Sequence, residues 1–182
     1  MRIGQTQLSN ISQLQPLIET YDAEVKRLCA EVEVLIGVPL TNRNFANFVF
    51  ESGRRRELAE LANQFYDKDW TLYSLRMMQS VANGDLMKIK HLQRIMDLNN
   101  EELPDFLYEQ IKNKLVATVS EVDEFDPKEL LDNQELSVVD VFNIFDALEV
   151  FLEILEQKGY DKKFIDEKRS IALEKRKIVL SF

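Results

Sequence analysis

The sequence predicts an all-α protein, a multi-helix bundle of about six to eight helices led by a long heptad-patterned N-terminal helix. Three observations carry that expectation. Ile11, Leu14, Ile18, Tyr21, Val25, Leu28, Val32 and Leu35 recur in strict steps of three and four. Such a rhythm keeps one narrow apolar seam on a helix and fits it to lie along a second one. No stretch of useful length alternates apolar and polar residues with period two, and β-branched residues fall inside helical patterns. Finally, only 5 Gly and 4 Pro occur in 182 residues, too few to punctuate the chain into short strands and tight turns.

Residues 1–15 are polar and Gln-rich, with room for a short helix. Pro16 lacks an amide hydrogen and suits a helix start, so the seam helix is expected over 16–36. Were the chain already helical at Ile11 and Leu14, Pro16 would have to kink it. Gly37 and Pro39 supply the stop. A second helical region is expected over 44–67, using Phe45, Phe48, Phe50, Leu58, Leu61, Ala62 and Phe65, with Gly53 as a possible divide. A third runs over 71–81 and closes at Asn83-Gly84. Asp85 is placed to cap a fourth, built on Leu86, Ile89, Leu92, Ile95 and Met96.

Leu103, Phe106, Leu107, Ile111, Leu115 and Val119 mark the next helix. Asp126-Pro127-Lys128-Glu129 joins a capping carboxylate, a proline at the first helical position and an acid at the positive helix end. Ser137 and Asp140 repeat the device before the most apolar segment, where Val138, Val141, Phe142, Phe145, Leu148, Leu152 and Leu155 form a stripe. Val139, Ile144, Phe151 and Ile154 widen it. A helix apolar around most of its circumference is buried on several sides, so 137–158 is the expected central helix. Gly159 ends it. A last helix over 161–179 carries Phe164, Ile165, Ile171, Ala172 and Ile178 and a basic outer face. The chain reads as a single helical domain, divisible at Asn99-Asn100 into lobes 1–98 and 101–182.

The net charge of −9 conceals a segregation. Residues 101–160 hold 16 acids against 4 bases, whereas residues 161–182 hold 4 acids against 7 bases. The simplest consequence is that the basic tail folds onto the acidic middle. The alternative is that the acidic face meets a basic partner, in one variant as an inhibitor imitating nucleic acid. With 1 Cys there is no internal disulfide, and no apolar run is long enough to span a membrane. A cytoplasmic protein with no membrane partner is expected.

No catalytic, metal or cofactor site is legible. His91 is the sole histidine and lies beside Lys88, Lys90 and Arg94, which reads as a solvated basic face. Cys29 is a flank residue of the seam helix. The isolated glycines make no phosphate loop or dinucleotide fingerprint. Zinc needs more Cys and His than the chain has. Asp123, Glu124 and Asp126, the densest carboxylates, lack the alternating ligands and central glycine of a calcium loop. No Glu-x-x-His pair of a di-metal bundle occurs.

Two features remain. Arg54, Arg55 and Arg56 form a basic surface that could accept an acidic ligand or nucleic acid, with Phe65, Tyr66, Trp70 and Tyr73 following. On a continuous helix, however, Glu51–Arg55 and Arg56–Glu60 pair, and aromatics at helical spacing are more often core. Glu57, Glu60, Asp67 and Asp69 dilute the local charge. The seam itself is flanked by Asp22, Glu24 and Glu31, which favours a neighbouring helix with basic flanks over a parallel self-pair; residues 54–56 would supply such a flank. The expected function is therefore non-enzymatic: assembly or regulation by binding a protein partner or by self-association. A nucleic-acid-associated role is the alternative.

Overall fold

The computed structural model describes residues 8–37, 39, 55–98 and 100–181. The expected elements at Phe45, Phe48, Phe50 and Gly53, together with Arg54 and the side chain of Arg55, lie outside the described residues. Within them the protein is all-helical, with seven α-helices and no strand. These are α1 (Leu14–Ile36), α2 (Arg55–Ala82), α3 (Ile89–Leu98), α4 (Asp105–Ser120), α5 (Pro127–Asp132), α6 (Val138–Gln157) and α7 (Lys162–Val179). No helix among the described residues is long and apolar enough to cross a membrane.

The seam turns inward against α2. Leu14, Ile18, Leu28 and Val32 are buried, while Ile11, Tyr21, Val25 and Leu35 are half-buried. Residue pairs run in opposite directions along the two helices, making an antiparallel hairpin. Gln79 Nε2 donates to Gln15 Oε1 at 2.7 Å, Arg76 pairs with Asp22 at 2.9 Å, and Lys68 pairs with Glu24 at 3.4 Å. The acidic flanks of α1 thus meet the basic residues Lys68 and Arg76. Pro16 does not kink the helix. A 3-10 turn over Ile11–Gln13 precedes α1, and Pro16 occupies its first turn, where an amide has no helical acceptor in any case.

Helix α2 is continuous through 67–71, so the described part of the expected 44–67 segment, from Arg55 onward, and the expected 71–81 segment are corrected to one element. The polar run Asp67-Lys68-Asp69 changes which face is wet without breaking the backbone, because neither Gly nor Pro lies between 55 and 82. At about 1.5 Å per residue its 28 residues span roughly 42 Å. Thr71 and Ser74 are buried on it, and each hydroxyl donates back to its own helix, to Asp67 O at 2.8 Å and Trp70 O at 2.9 Å.

One apolar cluster extends from Leu14 and Ile18 through the C-terminal half of α2, α3, α4 and α6 to Ile165 and Val179, taking in residues on both sides of Asn99-Asn100. Helix α6 packs against α7, α4 and α3. Its buried set is Val141, Phe145, Ala147, Leu148, Phe151, Leu152, Ile154 and Leu155. Val138 and Val139 are exceptions, exposed in the first turn. At the far end of the hairpin, Val32 and Ala62 form a further cluster with Ile36 and Leu61 among the described residues.

Helix starts follow the local chemistry unevenly. Asp126 Oδ1 accepts from the Glu129 amide at 3.1 Å. Ser137 and Asp140 make a full capping box, and Asp161 accepts from the Lys163 amide at 2.9 Å. Asp85 makes no side-chain cap; a 3-10 turn over Leu86–Lys88 stands before α3, which begins at Ile89. Helix α4 begins at Asp105, after Pro104, and not at Leu103.

The ends of α2, α3, α5 and α6 share one device, a left-handed residue whose following neighbour's amide reaches back five residues. Gly84 ends α2 and Gly159 ends α6 this way, and Asn100 ends α3, with Glu101 N–H donating to Met96 O at 2.8 Å. Gly84 also accepts, through its carbonyl, the Lys114 ammonium, which lies where a Cβ would stand. Helix α5 uses Gln134 at φ 57 for the same purpose. A side chain in that conformation costs on the order of 1 kcal/mol. Gln134→Gly is expected to stabilise the fold by about 0.5–1 kcal/mol in urea denaturation, and a destabilised variant would show that the side chain holds the turn.

Candidate functional site

The basic tail is where charge segregation resolves. Helix α7 lies on the acidic segment, and Lys168, Arg169, Lys175 and Arg176 are buried or half-buried there, so only Lys162, Lys163 and Lys177 keep the expected basic outer face. Opposite charges within one chain attract most where neighbours exclude water. Lys168 is buried and pairs with Asp123, and its ammonium lies 5.4 Å from the centre of the Phe164 ring. Arg169 bridges Glu149 at 3.2 Å and Glu156 at 2.9 Å. Lys175 Nζ donates to three backbone carbonyls that follow α4: Val122 at 2.7 Å, Asp123 at 2.9 Å and Phe125 at 2.7 Å. Leu173 and Ile178 take the solvent side instead. Asp123 is thereby an internal ion-pair partner, while Asp126 is a cap.

Not every acid is offset. Partial burial raises the Glu153 carboxyl above its usual value, helped by Glu149, Asp97 and Glu156 and opposed by Arg169. The folded chain favours the neutral form. Ionised Glu153 therefore opposes folding at neutral pH, and that opposition vanishes as pH falls below the usual value of 4.5. Glu153→Gln is expected to raise the melting temperature at neutral pH and to leave it unchanged in acid; a uniform shift at both would assign the effect to packing. Asp140 behaves oppositely. The Ser137 hydroxyl and amide lower its pKa, so its contribution is present at neutral pH and lost on acidification through that lowered value.

The remaining expected features separate in space. Arg56 pairs with Glu60 at 3.5 Å. His91 is exposed. The Cys29 thiol is half-buried and donates toward Glu33 Oε1 at 3.5 Å; burial first, then Glu33, pushes its pKa up and so lowers its reactivity. Among the described residues no group of three or more His, Cys, Asp or Glu side chains is arranged to hold a metal ion. A cavity of about 270 Å³ lies between α4 and α6, lined chiefly by Met87, Val122, Phe125, Ile144, Leu148 and Phe151.

The surface that stands out is aromatic and lies on α2. Tyr66, Trp70 and Tyr73 are 51%, 39% and 48% exposed, at spacings of four and three along one face. This corrects the reading of helically spaced aromatics as core. At about 100° per residue the row lies roughly 120° around the helix from the stripe of Leu58, Phe65, Leu72 and Leu75 that packs inward. That offset was the available signal. The Trp70 and Tyr73 rings stack, with centroids 5.9 Å apart and planes at 29°. Tyr66, Asp67, Asp69 and Trp70 line a shallow depression of about 470 Å³. Asp67 and Asp69 are exposed, and neither carboxylate is ion-paired among the described residues. Met77, one step further along the row, is buried in the main cluster, so the row begins where α2 leaves the bundle.

Neither a protein-family model, nor a curated protein, nor a solved structure matches this chain.

Proposed function

We propose that this protein acts in the cytoplasm as a helical binding module, docking another protein through the aromatic row of α2. The observation that carries this reading is the row itself. Three large rings about half exposed on a long helix forgo burial worth on the order of 1 kcal/mol each, and such rings dominate the energetics of protein interfaces. Tyrosine and tryptophan suit the role because each joins a broad apolar face to a polar tip. The hairpin supports the rings on a rigid base: they lie on the continuous α2, braced on its inner side by the seam of α1. Asp67 and Asp69 beside the rings repel phosphate, which favours a protein partner over nucleic acid.

The test is affinity purification from the source cell with the native chain and with Tyr66→Ser, Trp70→Ser and Tyr73→Ser combined. Because all three side chains are exposed, the variant is expected to keep its helical content and melting temperature while losing its stoichiometric partner. Retention of the same partner by the folded variant would overturn the reading.

A further inference from the structure

We infer that the aromatic row recognises arginine side chains presented by the partner protein; this rests on the row being the protein-binding surface and names the chemistry it reads. The argument is one of complementarity. Two ring systems, Tyr66 and Trp70, and two unpaired carboxylates, Asp67 and Asp69, line the same shallow depression. An aromatic face attracts a cation through its quadrupole, and tryptophan does so best. A carboxylate alongside accepts the two parallel N–H groups of a guanidinium. Arginine satisfies both at once, because its planar group stacks on a ring while its edge stays free for the acid. A lysine ammonium, compact and strongly hydrated, does this less well.

The chain applies the same chemistry internally. Lys68 sits 5.1 Å from the Tyr21 ring centre, Lys112 sits near both Tyr108 and Tyr160, and Arg176 lies 5.4 Å from Phe142. Among the described residues, Trp70 and Tyr73 carry no cation of their own. The stacked pair stands half-exposed beside Asp67 and Asp69, where a guanidinium can lie on an outer ring face. An apolar or acidic segment would leave Asp67 and Asp69 desolvated and unpaired, a cost that selects against it.

Trp70 is the chain's one tryptophan, so fluorescence excited selectively at tryptophan reports on this surface. The full chain is titrated with a short peptide carrying two arginines in a neutral Ala/Gln background, and with matched peptides carrying lysine or uncharged citrulline. The arginine peptide is expected to perturb Trp70 emission, less so as salt rises, with the lysine peptide about threefold and the citrulline peptide about tenfold weaker. Asp67→Asn with Asp69→Asn keeps the fold and the tryptophan, and is expected to weaken the arginine peptide about fivefold. Equal binding of arginine and citrulline peptides overturns the inference and leaves the protein-binding reading standing. So does failure of every peptide when Trp70→Ser still abolishes partner capture. If Trp70→Ser retains the partner, both fall. Salt-sensitive quenching by a single-stranded oligonucleotide, with none by the arginine peptide, also overturns the inference.

Discussion

Phe151→Ala is expected to cost about 4 kcal/mol of stability, read as a lowered urea midpoint with an unchanged denaturant slope. Phe151 is 3% exposed at the centre of α6, the helix that contacts α3, α4 and α7. Removing its ring forfeits the transfer of a large apolar group from water and leaves a hole. The hole cannot close easily, because it opens onto the existing cavity of about 270 Å³ bounded by Phe125, Ile144 and Leu148. A wall already open on one side has fewer atoms to relax inward, which places the cost at the upper end of such substitutions. A loss below about 1 kcal/mol would show that Met87, a flexible thioether at the rim, swings in to fill the space.

Lys175→Met is expected to cost about 3 kcal/mol, also by urea denaturation, although it removes no apolar contact. The ammonium has three hydrogens, and all three are used on the carbonyls of Val122, Asp123 and Phe125. Those carbonyls belong to the stretch after α4, where helix acceptors have run out of amides and carry partial negative charge. Methionine keeps the stem as far as the ε carbon but leaves the carbonyls of Val122 and Phe125, both partly buried, without the ammonium that they accept from. Lys175→Arg is expected to rescue little. A guanidinium directs its hydrogens within one plane and cannot converge on three acceptors around a single point. Full rescue by arginine would reduce the clamp to simple charge attraction.

What was legible beforehand follows from what is local. The heptad from Ile11 to Leu35 announces a helix paired with another helix, and it is. Asp126, Ser137 with Asp140, and Gly159 mark boundaries because a cap or a left-handed stop involves residues within one turn. The clamp by Lys175 has no such mark, since its partners are some fifty residues away in sequence. The continuity of α2 was hidden for another reason. Its first half buries a single stripe against α1, whereas its last turns, from Thr71 to Val81, are buried by the bundle as well. No one periodicity runs through both parts, and the polar Asp67-Lys68-Asp69 between them resembles an interruption. The aromatic row was visible as residues and invisible as a surface. Tyr66, Trp70 and Tyr73 obey helical spacing as faithfully as core residues do; only their angle to Leu58, Phe65, Leu72 and Leu75 separates them.

Val32 and Ala62, with Ile36 and Leu61 around them, meet where α1 and α2 run on beyond the main apolar cluster. The two long helices are thus fastened from Gln15 and Gln79 at one end to Val32 and Ala62 at the other. Trp70 stands between two further fastenings, at Lys68 and Arg76. A load on its ring is therefore carried by a doubled beam and not by one helix alone.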